Sequence, residues 1–72
     1  MFDYNTLIWN IKSEIQNRGM KQGVVAERAG FSDQEFSNMM NNRKLIKAEY
    51  IPAIASAIGV TTNELFKPKE SV

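Results

Sequence analysis

Hydrophobic residues recur at helical spacings of three and four along the chain, and glycines separate the pattern into segments. The first segment carries one apolar stripe on a polar background, formed by Leu7, Ile8, Ile11 and Ile15. Asn5 or Thr6 is expected to cap this helix at its start, and Gly19 to end it. The pattern therefore predicts an amphipathic first helix.

Residues 21–41 predict two short helices joined by a tight turn at Gly30, which is the arrangement of a helix-turn-helix motif. The first of them is expected to begin near Met20, and its inner face is formed by Val25, Ala26 and Ala29. Glycine suits the turn because it adopts positive φ without strain from a Cβ atom. The small alanines would let the two helices cross closely.

The second helix of the pair is predicted from Ser32 to about Asn41. Ser32 is a favourable N-cap, and Glu35 stands three residues later, which is the spacing of a capping box. Phe36 and Met39 repeat at helical spacing and are expected to face inward. The polar residues between them would then form an outer face.

The C-terminal part of the chain predicts two further helices. The fourth carries the apolar residues Ile51, Ile54, Ala55 and Ile58. Pro52 is favourable only in the first turn of a helix, so the exact start of this helix stays open. Thr61, with Glu64 three residues later, predicts the capped start of a short fifth helix. Residues 68–72 are expected to form a frayed tail.

The chain shows no strand-like alternation, and we predict an all-α fold with five helices around one core, in a single domain over residues 1–72. Asn42 is expected to adopt the left-handed conformation. The residues expected in the core are Leu7, Ile8, Ile11, Ile15, Met20, Val25, Ala26, Ala29, Phe31, Phe36, Met39, Ile51, Ile54, Ala55, Ile58, Val60 and Leu65.

Composition narrows the possible functions. The chain of 72 residues has no cysteine, no histidine and a net charge of +1. Thiolate and imidazole chemistry are therefore excluded, and a reducing cytoplasm is a compatible location. The sequence contains no glycine-rich phosphate loop and no carboxylate cluster with metal-ligand spacing. We therefore expect no enzymatic activity, no cofactor and no metal, and the lack of a long apolar run predicts no membrane span.

Several short motifs resemble the Cro/lambda-repressor-type helix-turn-helix regulators. They are Met20-Lys21-Gln22, the run from Val25 to Ser32, Phe36-Ser37, Asn42-Arg43-Lys44, the run from Ile54 to Val60, and Glu64-Leu65. The resemblance covers about residues 7–66 and implies a compact five-helix, lambda-repressor-like DNA-binding domain. The whole chain also resembles the modulator-of-repression, or antirepressor, proteins of temperate phages of lactic-acid bacteria. Those proteins are partners of a phage repressor in the lysis–lysogeny switch, which implies the cytoplasm of a bacterial host.

The resemblance implies that the second helix of the motif lies in the major groove of DNA and reads base edges. The base-reading positions would be Asp33, Gln34, Ser37 and Asn38. Gln34 could then bind an adenine through two hydrogen bonds. The positions that would hold the DNA backbone are Lys21, Gln22, Asn41, Arg43 and Lys44.

Several residues depart from the pattern expected of a DNA-reading surface. Asp33 and Glu35 place negative charge on the helix that would approach phosphates. Met40 supplies a flexible thioether, expected to be partly exposed, which suits a protein contact. Lys21 stands where a capping Ser or Thr is usual and Gly23 where Glu is usual, so the preceding helix should lack a capping box.

Two functions therefore stay open. In the first, the protein forms a complex with its cognate phage repressor through Val24, Asp33, Gln34, Glu35, Ser37, Asn38 and Met40. In the second, it is a Cro-like repressor that binds operator double-stranded DNA as a homodimer, because one motif reads few bases. A competing partner surface is formed by the N-terminal aromatics Phe2, Tyr4 and Trp9, although Trp9 could instead pack on the chain's own termini. No small-molecule ligand is expected.

Overall fold

The computed structural model describes residues 4–67, and in this range five α-helices and one 3₁₀ turn account for all the regular structure. In chain order they are α1 (Tyr4–Asn17), α2 (Gln22–Ala29), α3 (Asp33–Met40), the 3₁₀ turn (Ala48–Tyr50), α4 (Ile51–Ile58) and α5 (Thr62–Leu65). The prediction of an all-α fold with five helices is confirmed for these residues. Phe2 and the predicted tail, residues 68–72, lie outside the described residues.

Two of the helices begin at the hydroxyl caps that the sequence predicts. The backbone N–H of Glu35 donates to Ser32 Oγ over 3.1 Å at the start of α3. The N–H of Glu64 donates to Thr61 Oγ1 over 3.4 Å at the start of α5. Lys21 precedes α2 and makes no side-chain cap, as its residue type predicts. Helix α2 therefore begins without the stabilisation that the other two receive.

The turn between α2 and α3 depends on a left-handed residue. Gly30 has φ of 89° and follows the last helical residue of α2. The next N–H, that of Phe31, donates to the carbonyl of Ala26 over 2.8 Å and closes the helix end. Asn42 has φ of 61°, the one positive φ of a non-glycine residue in the described part of the chain. Both conformations were predicted from residue type.

The predicted start of α1 is wrong. Tyr4 is already helical, so neither Asn5 nor Thr6 caps the helix. The hydroxyl of Tyr4 donates to the carbonyl of Ile46 over 2.9 Å. A contact between residues 42 positions apart, which no local pattern reveals, thus attaches the first turn of α1 to the segment after α3.

The predicted start of α2 is also wrong. The N–H of Met20 donates to the carbonyl of Ile15 over 3.0 Å, so Met20 closes the end of α1 and α2 begins two residues later at Gln22. At the other uncertain boundary, Pro52 lies in the first turn of α4. Proline is favourable there because its missing N–H would have no partner within the helix.

The core is close to the predicted one. The buried apolar residues are Leu7, Ile8, Ile11, Ile15, Val25, Ala26, Phe36, Met39, Met40, Ile46, Ile51, Ile54, Ala55, Ala57, Ile58 and Leu65. Four residues predicted to be buried, Met20, Ala29, Phe31 and Val60, are only partly buried and pack at the edge of the core. Ile46, in the segment after α3, is also buried, which periodicity alone does not indicate.

Helix packing places α2 and α3 side by side. Helix α2 packs against α4 and α3, whereas α1 packs against α3 and α5.

The one buried polar side chain of the described core, Asn10, is 7% exposed and donates to the carbonyls of Leu65 and Lys67, each over 2.8 Å. Leu65 is the last residue of α5 and Lys67 lies just beyond it, so neither carbonyl has a partner within the helix. Asn10 thereby fixes the end of the chain's last helix on α1.

Phe36 is fully buried on the inner face of α3, so Phe36→Ala should leave a cavity and cost about 3–5 kcal/mol of unfolding free energy. A domain this small has a total stability near the low end, about 5 kcal/mol. We expect the variant to be largely unfolded at 25 °C by circular dichroism. Val24→Ala, at an exposed position of α2, should melt close to wild type. A Phe36→Ala variant that melts within a few degrees of wild type would contradict the assigned inner face.

Candidate functional site

The polar side of α3 is the surface through which the sequence predicts a partner or DNA to bind. Its five outward residues, which we call the α3 face, are Asp33, Gln34, Glu35, Ser37 and Asn38, and none of them is buried. Phe36 and Met39 point into the core from the opposite side of the same helix. The burial of those two side chains determines which residues of α3 reach the solvent.

Amide and hydroxyl side chains on the α3 face hydrogen-bond to one another along the helix. Gln34 Nε2 donates to Asn38 Oδ1 over 3.1 Å. Asn41 Nδ2, just past the helix end, donates to the carbonyl of Ser37 over 2.9 Å and to Ser37 Oγ over 3.2 Å. Each pair is four residues apart, the spacing that brings side chains together on a helix surface. The polar groups of the face are therefore partly ordered before any partner binds.

The two carboxylates of the α3 face differ in their surroundings. Glu35 Oε2 lies 3.7 Å from Lys44 Nζ, in an ion pair that is open to solvent and contributes little stability. Asp33 is exposed, and within residues 4–67 its carboxylate takes part in no hydrogen bond or ion pair. Glu35 is thus partly neutralised by its own chain, whereas the charge of Asp33 is uncompensated.

The carboxylate of Asp33 lies next to Gly23, in the first turn of α2. A Cβ atom added to Gly23 would lie 3.3 Å from Asp33 Oδ1 and 3.7 Å from Oδ2. Lys21 and Gln22, the predicted phosphate contacts at the start of α2, are exposed and immediately precede Gly23. A phosphate held by these two residues would therefore approach a negative charge, which opposes its binding.

A basic segment follows α3. The N–H groups of Arg43 and Lys44 both donate to the carbonyl of Asn38, over 2.8 and 3.2 Å, and turn the chain back onto the helix end. Arg43 and Lys44 are exposed there, next to Asn41. The structure thus places three of the five predicted backbone-holding residues, Asn41, Arg43 and Lys44, together at the end of α3, whereas Lys21 and Gln22 lie at the start of α2.

Met40 does not lie on this surface. It is 2% exposed and belongs to the core, so the expectation that it contributes to a partner contact is wrong. Helix α3 packs against both α2 and α1, and two neighbours widen its buried stripe beyond Phe36 and Met39. The apolar residues that are exposed near α3 are Val24, as expected, at 41%, and Leu45, which the sequence did not indicate, at 63%.

The competing aromatic surface lies on α1. Tyr4 is 37% and Trp9 45% exposed, so both residues reach the solvent. The Tyr4 hydroxyl is already bonded to Ile46, as described above. Phe2, the third member of this predicted surface, lies outside the described residues.

Nothing in residues 4–67 forms a group of three or more carboxylate, His or Cys side chains that could hold a metal ion. No helix in the same range is long and apolar enough to cross a membrane.

Comparison with models of known protein families gives no match, and comparison with curated protein sequences gives no significant match. The α3 face and its flanks are therefore the features of residues 4–67 that indicate a function.

The burial of Met40 and the exposure of Leu45 can be separated by stability measurements. Met40→Ala should cost about 2–5 kcal/mol of unfolding free energy, because it removes a buried side chain from the core. Leu45→Ala should change the stability by no more than about 0.5 kcal/mol, as is usual for a surface substitution. Urea unfolding followed by circular dichroism measures both. Equal stabilities of the two variants would show that Met40 is not a core residue.

Proposed function

We propose that the protein regulates a phage genetic switch by forming a complex with the cognate repressor, and that the α3 face is its contact surface. The observation that carries the proposal is the uncompensated carboxylate of Asp33 in the first turn of α3. That position approaches phosphates when such a helix enters a DNA groove, and a free carboxylate there opposes DNA and favours a cationic protein surface.

The arrangement of α2 and α3 supports a helix-turn-helix motif. Each helix has 8 residues, and only Gly30, Phe31 and Ser32 separate them. In motifs of this kind the second helix reads the major groove through its N-terminal residues. Helix α3 would hold that role by its position, and its first turn contains Asp33 and Glu35.

Charge complementarity explains how such a helix would bind a repressor. The DNA-reading face of a repressor is basic because it must neutralise phosphates. Asp33 can bind a cation of the partner without breaking any interaction within its own chain. Glu35 must first break its ion pair with Lys44, but that exposed pair is weak. Opposite charges on the two proteins would accelerate association at low ionic strength. The complex would cover the surface with which the repressor binds its operator.

Exposed apolar side chains on either side of α3 would supply the less polar part of the contact. Val24 precedes the helix on α2 and Leu45 follows it, and both have substantial exposed area. Interface energy concentrates in a few such contacts that become buried on binding. Val24 was already expected in this contact, and Leu45 takes the place that the sequence had assigned to Met40.

Operator DNA is the second candidate ligand. The observation that favours it is the basic segment at the end of α3, where Arg43, Lys44 and Lys47 are exposed. These side chains could neutralise phosphates while Gln34 and Asn38 meet base edges. The protein would then act as a homodimer, alone or within the repressor complex. The acidic start of α3 is the feature that this alternative has to overcome.

Reversing both charges of the α3 face should weaken the repressor complex. In Asp33→Lys/Glu35→Lys the basic surface of the partner meets positive instead of negative side chains. We expect the dissociation constant, measured by isothermal titration calorimetry, to rise at least tenfold and the salt dependence of association to disappear. Circular dichroism should show a retained fold, since both side chains reach the solvent.

The matched control is Glu49→Lys/Glu64→Lys, which makes the same change in net charge on the 3₁₀ turn and on α5. It should bind the repressor as wild type does. Wild-type affinity of the Asp33/Glu35 variant, together with loss of binding on Trp9→Ala, would instead assign the contact to the aromatic surface of α1.

Asp33→Asn should raise the affinity of the protein alone for DNA. The substitution removes a negative charge near the phosphate path and adds a hydrogen-bond donor. We expect a several-fold gain for a labelled duplex at low salt by fluorescence anisotropy, which becomes smaller as salt is added. Unchanged affinity at every salt concentration would show that Asp33 does not face the DNA. Gel shifts with the protein alone, the repressor alone and both together separate the two candidate functions.

A further inference from the structure

Gly23 stands at a position where most other residues would form a better helix. It is the second residue of α2, and its φ is not among the positive values that require glycine. Alanine has a higher helix propensity at such a position. Lys21 provides no side-chain cap, so the first turn of α2 gains no compensation from its own start. The helix itself therefore gives no reason for a glycine here.

The reason on the structure is the side chain of Asp33. The three atoms nearest to a Cβ added at Gly23 would be Oδ1 at 3.3 Å, Oδ2 at 3.7 Å and Cγ at 3.8 Å, all of Asp33. The shortest of these is tighter than ordinary van der Waals contact for a Cβ atom. The missing side chain at residue 23 thus leaves a seat that the carboxylate occupies.

We propose that Gly23 is a positioning residue that determines specificity by seating the carboxylate of Asp33, which then binds a guanidinium or ammonium group of the protein partner. This inference rests on the proposed function and names the group through which the α3 face would bind. The same seat holds negative charge beside Lys21 and Gln22, and so disfavours the phosphate of a nucleic acid at that place.

Seating matters because exposed ion pairs are normally weak. Part of their weakness is the loss of side-chain freedom when two mobile groups adopt one geometry. Asp33 starts α3, whose first turn is fixed by the Ser32 cap, and its carboxylate lies beside Gly23 in the space that a side chain at residue 23 would enter. A group ordered before binding loses less entropy on binding. With no ion-pair or hydrogen-bond partner in the described chain, the carboxylate is available to a cation from outside.

A purely structural explanation makes a different prediction. The positive end of the α2 dipole attracts a carboxylate near the first turn, so Asp33 could simply stabilise α2. In that case substitutions of Asp33 would change the melting temperature and leave the affinity for the repressor unchanged. The positioning role instead predicts that stability and affinity change in opposite directions at Gly23. A better helix former there would raise the melting temperature and weaken the complex with the repressor.

The test is a double-mutant cycle on the full chain, with the repressor as ligand and isothermal titration calorimetry as the measurement. Gly23→Ala should raise the melting temperature, because the exposed Asp33 carboxylate can yield to the added methyl group. It should also weaken the complex about threefold. In the Asp33→Asn background, itself at least fivefold weaker, Gly23→Ala should change the affinity less than 1.5-fold. Ser56→Ala, an exposed helix substitution on α4, controls for stabilisation alone and should bind as wild type does.

Three results would overturn the inference. If Gly23→Ala binds as tightly as wild type while Asp33→Asn weakens the complex, the seat is irrelevant and the proposed function survives. If Gly23→Ala weakens the complex equally in both backgrounds, the added methyl group acts on the partner and not through Asp33. If neither substitution changes the affinity and the Asp33/Glu35 reversal is also neutral, the proposed contact surface is wrong as well.

Discussion

The burial of one face of α3 is the constraint on which the candidate site depends. A helix of 8 residues is not stable on its own in water, because the free-energy cost of nucleation exceeds the stabilisation from so few hydrogen bonds. Phe36, Met39 and Met40 are all buried, and their packing against α2 and α1 holds the helix in one rotational setting. The remaining side of α3 is thereby committed to the solvent. The Ser32 cap then fixes where the helix starts and places Asp33 in its first turn.

Features that depend on neighbouring residues could be predicted from the sequence. The caps at Ser32 and Thr61, the left-handed Gly30 and Asn42, and the inward setting of Phe36 all follow from residue type and spacing. Each requires information from only a few adjacent positions. The exposure of Val24 and the polar character of the α3 face follow from the same periodicity.

Features that depend on the tertiary fold could not be predicted in this way. Met40 lies at the edge of the helical stripe, and the packing of both α1 and α2 on α3 decides that it is buried. Ile46 sits in a connection with no period to interpret, and its burial accompanies the hydrogen bond from Tyr4 to its carbonyl. The position of the Asp33 carboxylate beside Gly23 involves two different helices, so only the packing of α2 on α3 reveals it.

The distribution of charge along α3 matters more for its function than the net charge of the chain. The negative charge of Asp33 lies in the first turn of the helix and has no partner within residues 4–67, and Arg43 is exposed beyond the end of the helix. Lys44 also follows the helix, but its ammonium group lies 3.7 Å from Glu35 in the first turn and partly neutralises that carboxylate. A partner therefore meets one free and one neutralised carboxylate on the same turn, and the net charge of +1 describes neither of them.

The first turn of α2 is made of residues that stabilise a helix poorly. It lacks a side-chain cap and contains a glycine, which costs about 1 kcal/mol relative to alanine inside a helix. The helix forms nevertheless, because Val25 and Ala26 are fully buried against the core. Positions at which local preference and the fold disagree are where function is expected to impose its own requirements. Gly23 is such a position, and it lies beside Asp33, the one carboxylate of the α3 face that has no partner in the described chain. This proximity connects the weak start of α2 to binding.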